Sequence, residues 1–296
     1  MELRQIETLV AIADGGSFSR AAITLNLAQP SLSRQIALLE EELGQRLLLR
    51  TGRGVALTVA GEHFIVHARS MLELARRARD AVRDIDDNPA GRITVGMPPR
   101  VAVGLSVPLV RAFRARFGRA VIAVQEGLSQ SLRELLVAGR LDLALLFDPL
   151  PSPQLAYESL MRERLLIVAP PGSHLPERVG LAALSNYPLV LPSPPNAIRN
   201  LLDGVLGPRG IALHIIAEVG AVQTALALVR EGVGCTVVPE SALAMGKEGV
   251  DPVQAPIGPP AIWNRLVLAT PRASPGTRLS RETARLLREL DFRSGL

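Results

Sequence analysis

Apolar positions recur at helical spacing from the first residues of the chain. Leu3, Ile6, Leu9, Val10 and Ala13 fall on one face, and Gly15-Gly16 ends the run. Ser17 is placed to cap a second short helix, Phe18 to Leu25, and Asn26-Leu27-Ala28 supplies a three-residue turn. Proline suits the first helical position, so a third helix is expected to start near Pro30 and stop near Gly44. In "LLLRTGRGVALT", residues 47–58, two apolar arms flank Thr51-Gly52-Arg53-Gly54, which predicts a β-hairpin. Residues 59–87 hold no proline and one glycine, Gly61. There Phe64, Ala68, Met71, Ala75, Ala78, Val82 and Ile85 alternate steps of four and three, the seam of a coiled coil on a helix about 40 Å long.

After Asp86-Asp87-Asn88-Pro89-Ala90-Gly91, a linker, the texture changes. "RITVGM" reads as a strand, "VPLVRAFRARFG" as a helix, "AVIAVQEG" as a strand, "SLRELLVAG" as a helix and "LDLALLF" as a strand. That βαβαβ rhythm predicts a parallel sheet with helices on both faces. It repeats with different content through "RLLIVAP", "YPLVLPS", "AIRNLLDGV", "ALHIIAEVG", "VQTALALVREG" and "CTVVP", which predicts a second α/β lobe. A strand "NRLVLAT" and a helix from Arg278 to Phe292 close the chain.

The third helix carries the first functional signal. On a helical wheel Leu32, Ile36, Leu39 and Leu43 form a buried stripe, with Pro30, Arg34, Ala37 and Glu41 opposite and Ser33 and Gln35 on the flanks. The exposed face is basic and hydrogen-bonding at its start and acidic at Glu40-Glu41-Glu42. A helix entering the major groove by its N-terminal end needs that polarity: arginine bonds guanine, glutamine bonds adenine, and serine bonds several partners. The dipole and free N–H groups favour phosphates at the same end. With the preceding helix and turn this forms a helix-turn-helix, and Arg50 and Arg53 make the hairpin a wing for phosphates or the minor groove. An ordinary amphipathic helix with a solvated face is the competing reading of the helix taken alone.

Bulk charge does not decide between them. The formal net charge is +5, but residues 1–58 hold six arginines and six acids and are neutral, so local placement must carry the case. Aromatics make up only 3% of the chain, so the core is aliphatic. The single cysteine, Cys235, excludes an intramolecular disulfide. No run approaches the ~18 apolar residues of a membrane span, and "MELRQIETLV" lacks a signal-peptide layout. A soluble cytoplasmic protein is expected.

The segment "GSFSRAAITLNLAQPSLSRQIALLEEELGQRLLLRTGRGVALTVAGE" resembles the DNA-binding domain of the LysR-type transcriptional regulators. The resemblance rests on Phe18, Ala21-Ala22, Gln29-Pro30-Ser31-Leu32-Ser33, Ile36, Leu39-Glu40, Leu43-Gly44, Leu47, Leu49-Arg50, Thr58 and Gly61. It implies an α+β multidomain fold. A winged helix-turn-helix (1–58) is followed by a dimerising linker helix (59–90). An α/β effector-binding domain of two lobes (91–296) comes last, similar to periplasmic solute-binding proteins. Lobe I is expected at 91–162 and 268–296 and lobe II at 163–267, with hinge strands around Leu165–Val168 and Leu266–Ala269. The candidate DNA contacts are Ser19, Gln29, Pro30, Ser31, Ser33, Arg34, Arg50 and Arg53.

Ligands of α/β sheets bind beyond strand C-termini. The candidate effector residues are therefore Pro98, Pro99, Arg100 and Val101 after the first strand, Leu128 and Ser129 after the second, and Asn196, Gln223 and Thr224 in lobe II. Many relatives place serine or threonine in the first of these loops to hold a carboxylate, where this chain has Pro98-Pro99-Arg100; that arginine either supplies a charge or faces solvent. "LPSPPNAIR" and "EVGAVQTALALVREGVGCTVVPESA" resemble the nitrogen-assimilation-control branch.

Other signals carry little. His63 and His67 share a helix face without a third metal ligand, Gly232-Val233-Gly234 lacks the glycine spacing of a nucleotide loop, and Ser129 lacks a nucleophile elbow. No metal, cofactor or catalytic constellation is expected. The sequence predicts a homodimer or homotetramer that binds imperfect palindromes in double-stranded promoter DNA, engages RNA polymerase and answers to a small molecule between the lobes. The rival readings are an enzyme fused to a helix-turn-helix and a C-terminal assembly module without ligand.

Overall fold

The computed structural model describes residues 1–52, 54–83, 91–244, 251–272 and 276–292. Arg53 and the last part of the expected linker helix, with Ile85, lie outside the described residues. The chain divides into two compact units, Met1–Asp87 with Ala138–Arg140, and Asn88–Val137 with Leu141–Leu296.

The first unit holds α1 (Leu3–Gly15), α2 (Phe18–Leu25), α3 (Gln29–Leu43), β1 (Leu48–Thr51), β2 (Gly54–Leu57) and α4 (Val59–Arg83). Its breaks are chemical. Gly16, Asn26 and Gly44 adopt left-handed φ of 64°, 52° and 64° and end α1, α2 and α3. The Ser17 hydroxyl accepts from Arg20 N at 3.1 Å and starts α2. The β1–β2 hairpin is fixed to the α1–α2 turn, since Val55 N donates to Gly16 O at 2.9 Å and a Cβ on Gly54 would stand 2.5 Å from that oxygen. The start of α4 is equally tight. Thr58 Oγ1 accepts from Gly61 N at 2.9 Å and donates to Arg46 O at 2.6 Å. A Cβ on Gly61 would lie 2.1 Å from Leu47 O, so only glycine fits.

The core of this unit is Ile6, Leu9, Ile12, Ala21, Leu32, Ile36, Leu39, Leu47, Leu48, Ile65 and Ala68, with Phe64, Met71 and Leu72 packed at its margin. Of the expected coiled-coil seam, Ala68 is buried in this core and Phe64 and Met71 are half-buried at its margin. A different face of α4 carries exposed apolar residues, Val59, Val66 and Leu74, the last 61% exposed. Leu43, expected in the buried stripe of α3, is 36% exposed, because the helix end has passed the core.

The second unit is built on a sheet of order β10-β6-β11-β5-β3-β4, with β9 also paired to β6. Its strands are β3 (Gly91–Met97), β4 (Ala120–Glu126), β5 (Leu143–Phe147), β6 (Leu155–Ala169), β9 (Thr236–Pro239), β10 (Val253–Pro256) and β11 (Trp263–Pro271). β3 is parallel to β4 and β5, as the βαβαβ rhythm predicts, and β11 is antiparallel to both β5 and β6, so the sheet as a whole is mixed. Helices α5 (Pro99–Arg116) and α9 (Arg278–Glu289) cover one face and α6 (Ser129–Val137) the other. β5 is buried throughout because both faces are covered: Leu143, Leu145 and Phe147 join one cluster, Ala144 and Leu146 the other.

One strand joins the lobes. β6 pairs with β11 over Leu155–Arg164 and with β9 and β10 over Leu165–Ala169. The second lobe adds β7 (Leu189–Leu191) parallel to β8 (Ile215–Glu218), with α7 (Ala197–Leu206) and α8 (Val222–Arg230). Cys235 sits in that lobe's core, its thiol pushed up by burial. The return to lobe I comes earlier than residue 268. Leu266–Ala269 already pair with β5, and Leu266 and Leu268 lie in the lobe I core.

Candidate nucleic-acid interface and ligand cavity

α3 stands on Leu32, Ile36 and Leu39, all buried, while Gln29, Pro30, Ser31 and Arg34 are exposed at its N-terminal end and Ser33 is half-buried. Ala28 caps it without a side-chain acceptor, so its first-turn N–H groups are not occupied by a cap side chain. Ser19 is exposed on α2, and Arg50 lies on β1. Two polar residues of α3 are committed internally. Gln35 Oε1 accepts from the Thr8 hydroxyl on α1. Glu40 Oε1 accepts from Leu47 N and Leu48 N at 2.7 and 3.0 Å, so this glutamate fixes the start of the hairpin. Neither role is visible in the helix alone.

A cavity of about 140 Å³ opens between the lobes of the second unit. Four helices start at its wall: α5 at Pro98–Arg100, α6 at Leu128 and Ser129, α7 at Asn196–Ile198, and α8 at Ala221–Gln223. Their dipoles make the field there positive. Asn196 Oδ1 accepts from Ile198 N at 2.9 Å and caps α7, while α8 has no side-chain cap. Ser129 Oγ accepts from Phe147 N at 2.9 Å. A wider hollow of about 460 Å³ shares Ser129, Phe147 and Ala197 and adds Arg133 and Asp148. Burial raises the Asp148 carboxyl above its ordinary range against the opposing backbone hydrogen bond from Arg265.

Of the expected effector residues, Pro98, Pro99, Arg100, Leu128, Ser129, Asn196 and Gln223 line the cavity. Val101 and Thr224 do not: Val101 points into the lobe I core, and Thr224 is exposed on α8. Pro99, Arg100 and Val101 belong to the first turn of α5 rather than to a loop. Arg100 neither faces solvent nor stands as a free charge. It is 7% exposed, its Nη2 donates to Glu163 Oε1 at 2.7 Å, its Nη1 donates to Ser241 Oγ, and its guanidinium lies 5.0 Å from the Phe147 ring centroid. Glu163 Oε2 also accepts from Ser241 N at 3.2 Å, so both carboxylate oxygens are used. Sequence reasoning missed Phe147, Ile198 and Asn264, which also line the cavity. The signal available for Asn264 was an asparagine in the inward register of an apolar strand.

Two family models match the chain: the bacterial regulatory helix-turn-helix protein of the lysR family over residues 3–62, and the LysR substrate binding domain over residues 86–291. The chain belongs to the LysR family. As a LysR-type protein it is a DNA-binding transcriptional regulator with an effector-binding domain. It is 35% identical over 246 residues to the nitrogen assimilation regulatory protein nac of Escherichia coli (strain K12), covering 82% of this chain and 79% of that one. The same identity and coverage hold for the nac protein of Klebsiella aerogenes, which supports a Nac-like branch. Identity to the regulator IlvR of Caulobacter vibrioides is 30%, over 93% of this chain and 94% of that protein. Among solved structures, full-length CbnR complexed with its target DNA is 25% identical with a TM-score of 0.66, covering 98% of this chain and 99% of that one. A full-length OxyR variant from Pseudomonas aeruginosa shares the fold, with a TM-score of 0.74 at 21% identity and coverage of 98% and 97%. Among the described residues no helix is long and apolar enough to cross a membrane.

Proposed function

We propose that this protein reads operator DNA with α3, assembles through α4 into dimers or tetramers, and is switched by a small molecule in the interlobe cavity. In this reading residues 1–58 bind DNA, 59–90 dimerise and 91–296 sense the ligand. The chain works in the cytoplasm as a regulator rather than as a catalyst. The observation that carries the DNA assignment is the division of α3: Leu32, Ile36 and Leu39 are buried while Gln29, Ser31 and Arg34 stand exposed at the end that enters a groove. Ser19, Pro30, Ser33, Arg50 and Arg53 complete the contact set, with Arg50 and Arg53 on phosphate or the minor groove. Two copies then present two α3 helices to the half-sites of an imperfect palindrome, where RNA polymerase is engaged. The full-length CbnR complex with target DNA supports this reading.

The cavity reading rests on Pro98, Pro99, Arg100, Leu128, Ser129, Asn196 and Gln223, gathered from both lobes. Ligand closure between them would bias the lobe arrangement and so the placement of the DNA-binding units. The test is binding to the promoter fragment upstream of the protein's own gene. Arg34→Ala is expected to cost about 1–3 kcal/mol on that fragment and to relax preference at one base pair. An equal loss on every sequence would move Arg34 to a phosphate contact. No binding to any promoter fragment at low salt would sink the proposal.

A further inference from the structure

Asn264 lies on β11 in register with Glu163 of β6. Its neighbours in the inward register, Leu266 and Leu268, are fully buried core residues. A leucine at position 264 would continue that stripe. The chain instead places a carboxamide there, 1% exposed, and its Oδ1 has no hydrogen-bond partner among the described residues. A buried polar atom without a partner destabilises a fold, so native proteins retain few of them without a reason. Asn264 lines the interlobe cavity, from which a partner can come.

We propose that Asn264 is a specificity-determining residue of this cavity, accepting a hydrogen bond from a neutral donor on a compact, largely apolar ligand; this rests on the cavity being the effector site. Three observations set the ligand class. The unpartnered atom is an acceptor, so the complementary group is a hydroxyl or an N–H. The one charged residue among the lining residues is Arg100, and Glu163 neutralises it at 2.7 Å. A charged donor would thus enter a site without a free counter-charge, which disfavours an ammonium. The cavity proper has room for a single ring, and the wider hollow adjoins it at Ser129, Phe147 and Ala197. The cavity measures about 140 Å³, and cavities of about 150 Å³ accept benzene.

The experiment uses the full chain and three ring probes of similar size: phenol, which donates; benzaldehyde, which only accepts; and toluene, which does neither. Binding is followed by methyl NMR at Leu128, Ile198 and Val222, in the parent and in Asn264→Leu. The expected result is a phenol-to-toluene affinity ratio that falls at least tenfold in Asn264→Leu, with the benzaldehyde-to-toluene ratio little changed. Probes that bind with an unchanged phenol ratio would overturn the role of Asn264 and leave the cavity reading standing. A benzaldehyde ratio that falls as far as that of phenol would overturn the donor class. Probes that shift none of the three methyls in the parent would overturn both this inference and the cavity reading. A second readout needs no ligand: Asn264→Leu should raise the thermal midpoint of the free protein by a few degrees. A drop of several degrees would mean that Asn264 is held by a permanent structural partner, and would overturn the assignment.

Discussion

On α3 the side chains left for a partner, Gln29, Ser31 and Arg34, stand in solvent, whereas Arg100 and Asn264 at the cavity are 7% and 1% exposed. Under the proposed function the contrast follows from the size of what each surface would meet. A DNA duplex approaches from outside, so contact residues stay hydrated until binding and cost the fold little. A small ligand must be enclosed, so the residues around it are desolvated whether or not it is present. Arg100 meets that cost through Glu163 and Ser241, while Asn264 Oδ1 has no such partner among the described residues. A partner surface outside can be rewritten by single substitutions; an enclosed one is tied to the stability of its lobe.

The largest expected effect tests that tie. Glu163→Ala should destabilise the second unit by about 3–5 kcal/mol, because Arg100 is left as a buried unpaired charge. The double change Arg100→Met with Glu163→Met should recover most of the loss. Trp263 is the chain's one tryptophan and lies on β11, so its fluorescence during urea unfolding reports this unit alone. Equal losses for the single and double variants would break the comparison, because Arg100 would then act through packing rather than charge.

A middle-sized effect separates the two apolar faces of α4. Leu74→Asp, on the exposed face, should weaken self-association at least tenfold, about 1.4 kcal/mol, and leave the first unit folded. Met71→Asp, at the margin of that unit's core, should instead lower its thermal stability. Sedimentation and circular dichroism measure the two outcomes. Unchanged association in Leu74→Asp would remove the exposed face from the dimer.

The smallest effect lies at Glu158 on β6, where hydrogen bonds from Arg288 on α9 at 2.9–3.1 Å hold the carboxyl below its ordinary range. A carboxylate whose folded pKa is depressed stabilises the fold above its unfolded value and loses that contribution as pH falls through the folded one. The pair is half-exposed and screened, so its worth is about a few tenths of a kcal/mol. Arg288→Met should therefore flatten the acid side of the stability profile slightly at low salt and change nothing in about 1 M salt. A larger change would show that α9 depends on this pair.

Much of the first unit was legible because its determinants are local. Gly15-Gly16, Asn26 and Gly44 punctuate three helices, Ser17 caps one, and Gln29-Pro30 opens another. Even there the sequence misleads wherever a long-range partner intervenes: Gln35 turns toward Thr8, Glu40 toward the hairpin, and Ala68 of the α4 seam toward the unit's own core. The cavity was legible as a set of strand ends and helix starts, and seven of nine expected residues line it. The state of Arg100 was not, since Glu163 and Ser241 lie 63 and 141 positions away. Asn264 was hidden because an asparagine at the edge of an apolar strand reads as a boundary until the strand's neighbours are known.

The bond from Val55 N to Gly16 O, with a glycine required where the two backbones meet, makes the hairpin and the helix-turn-helix a single stamp. If α3 reads bases and the hairpin lies on the backbone as proposed, the distance along the duplex between their two footprints is a constant of the protein. Operators can differ in the spacer between their halves, but within each half the offset between the two footprints stays the same.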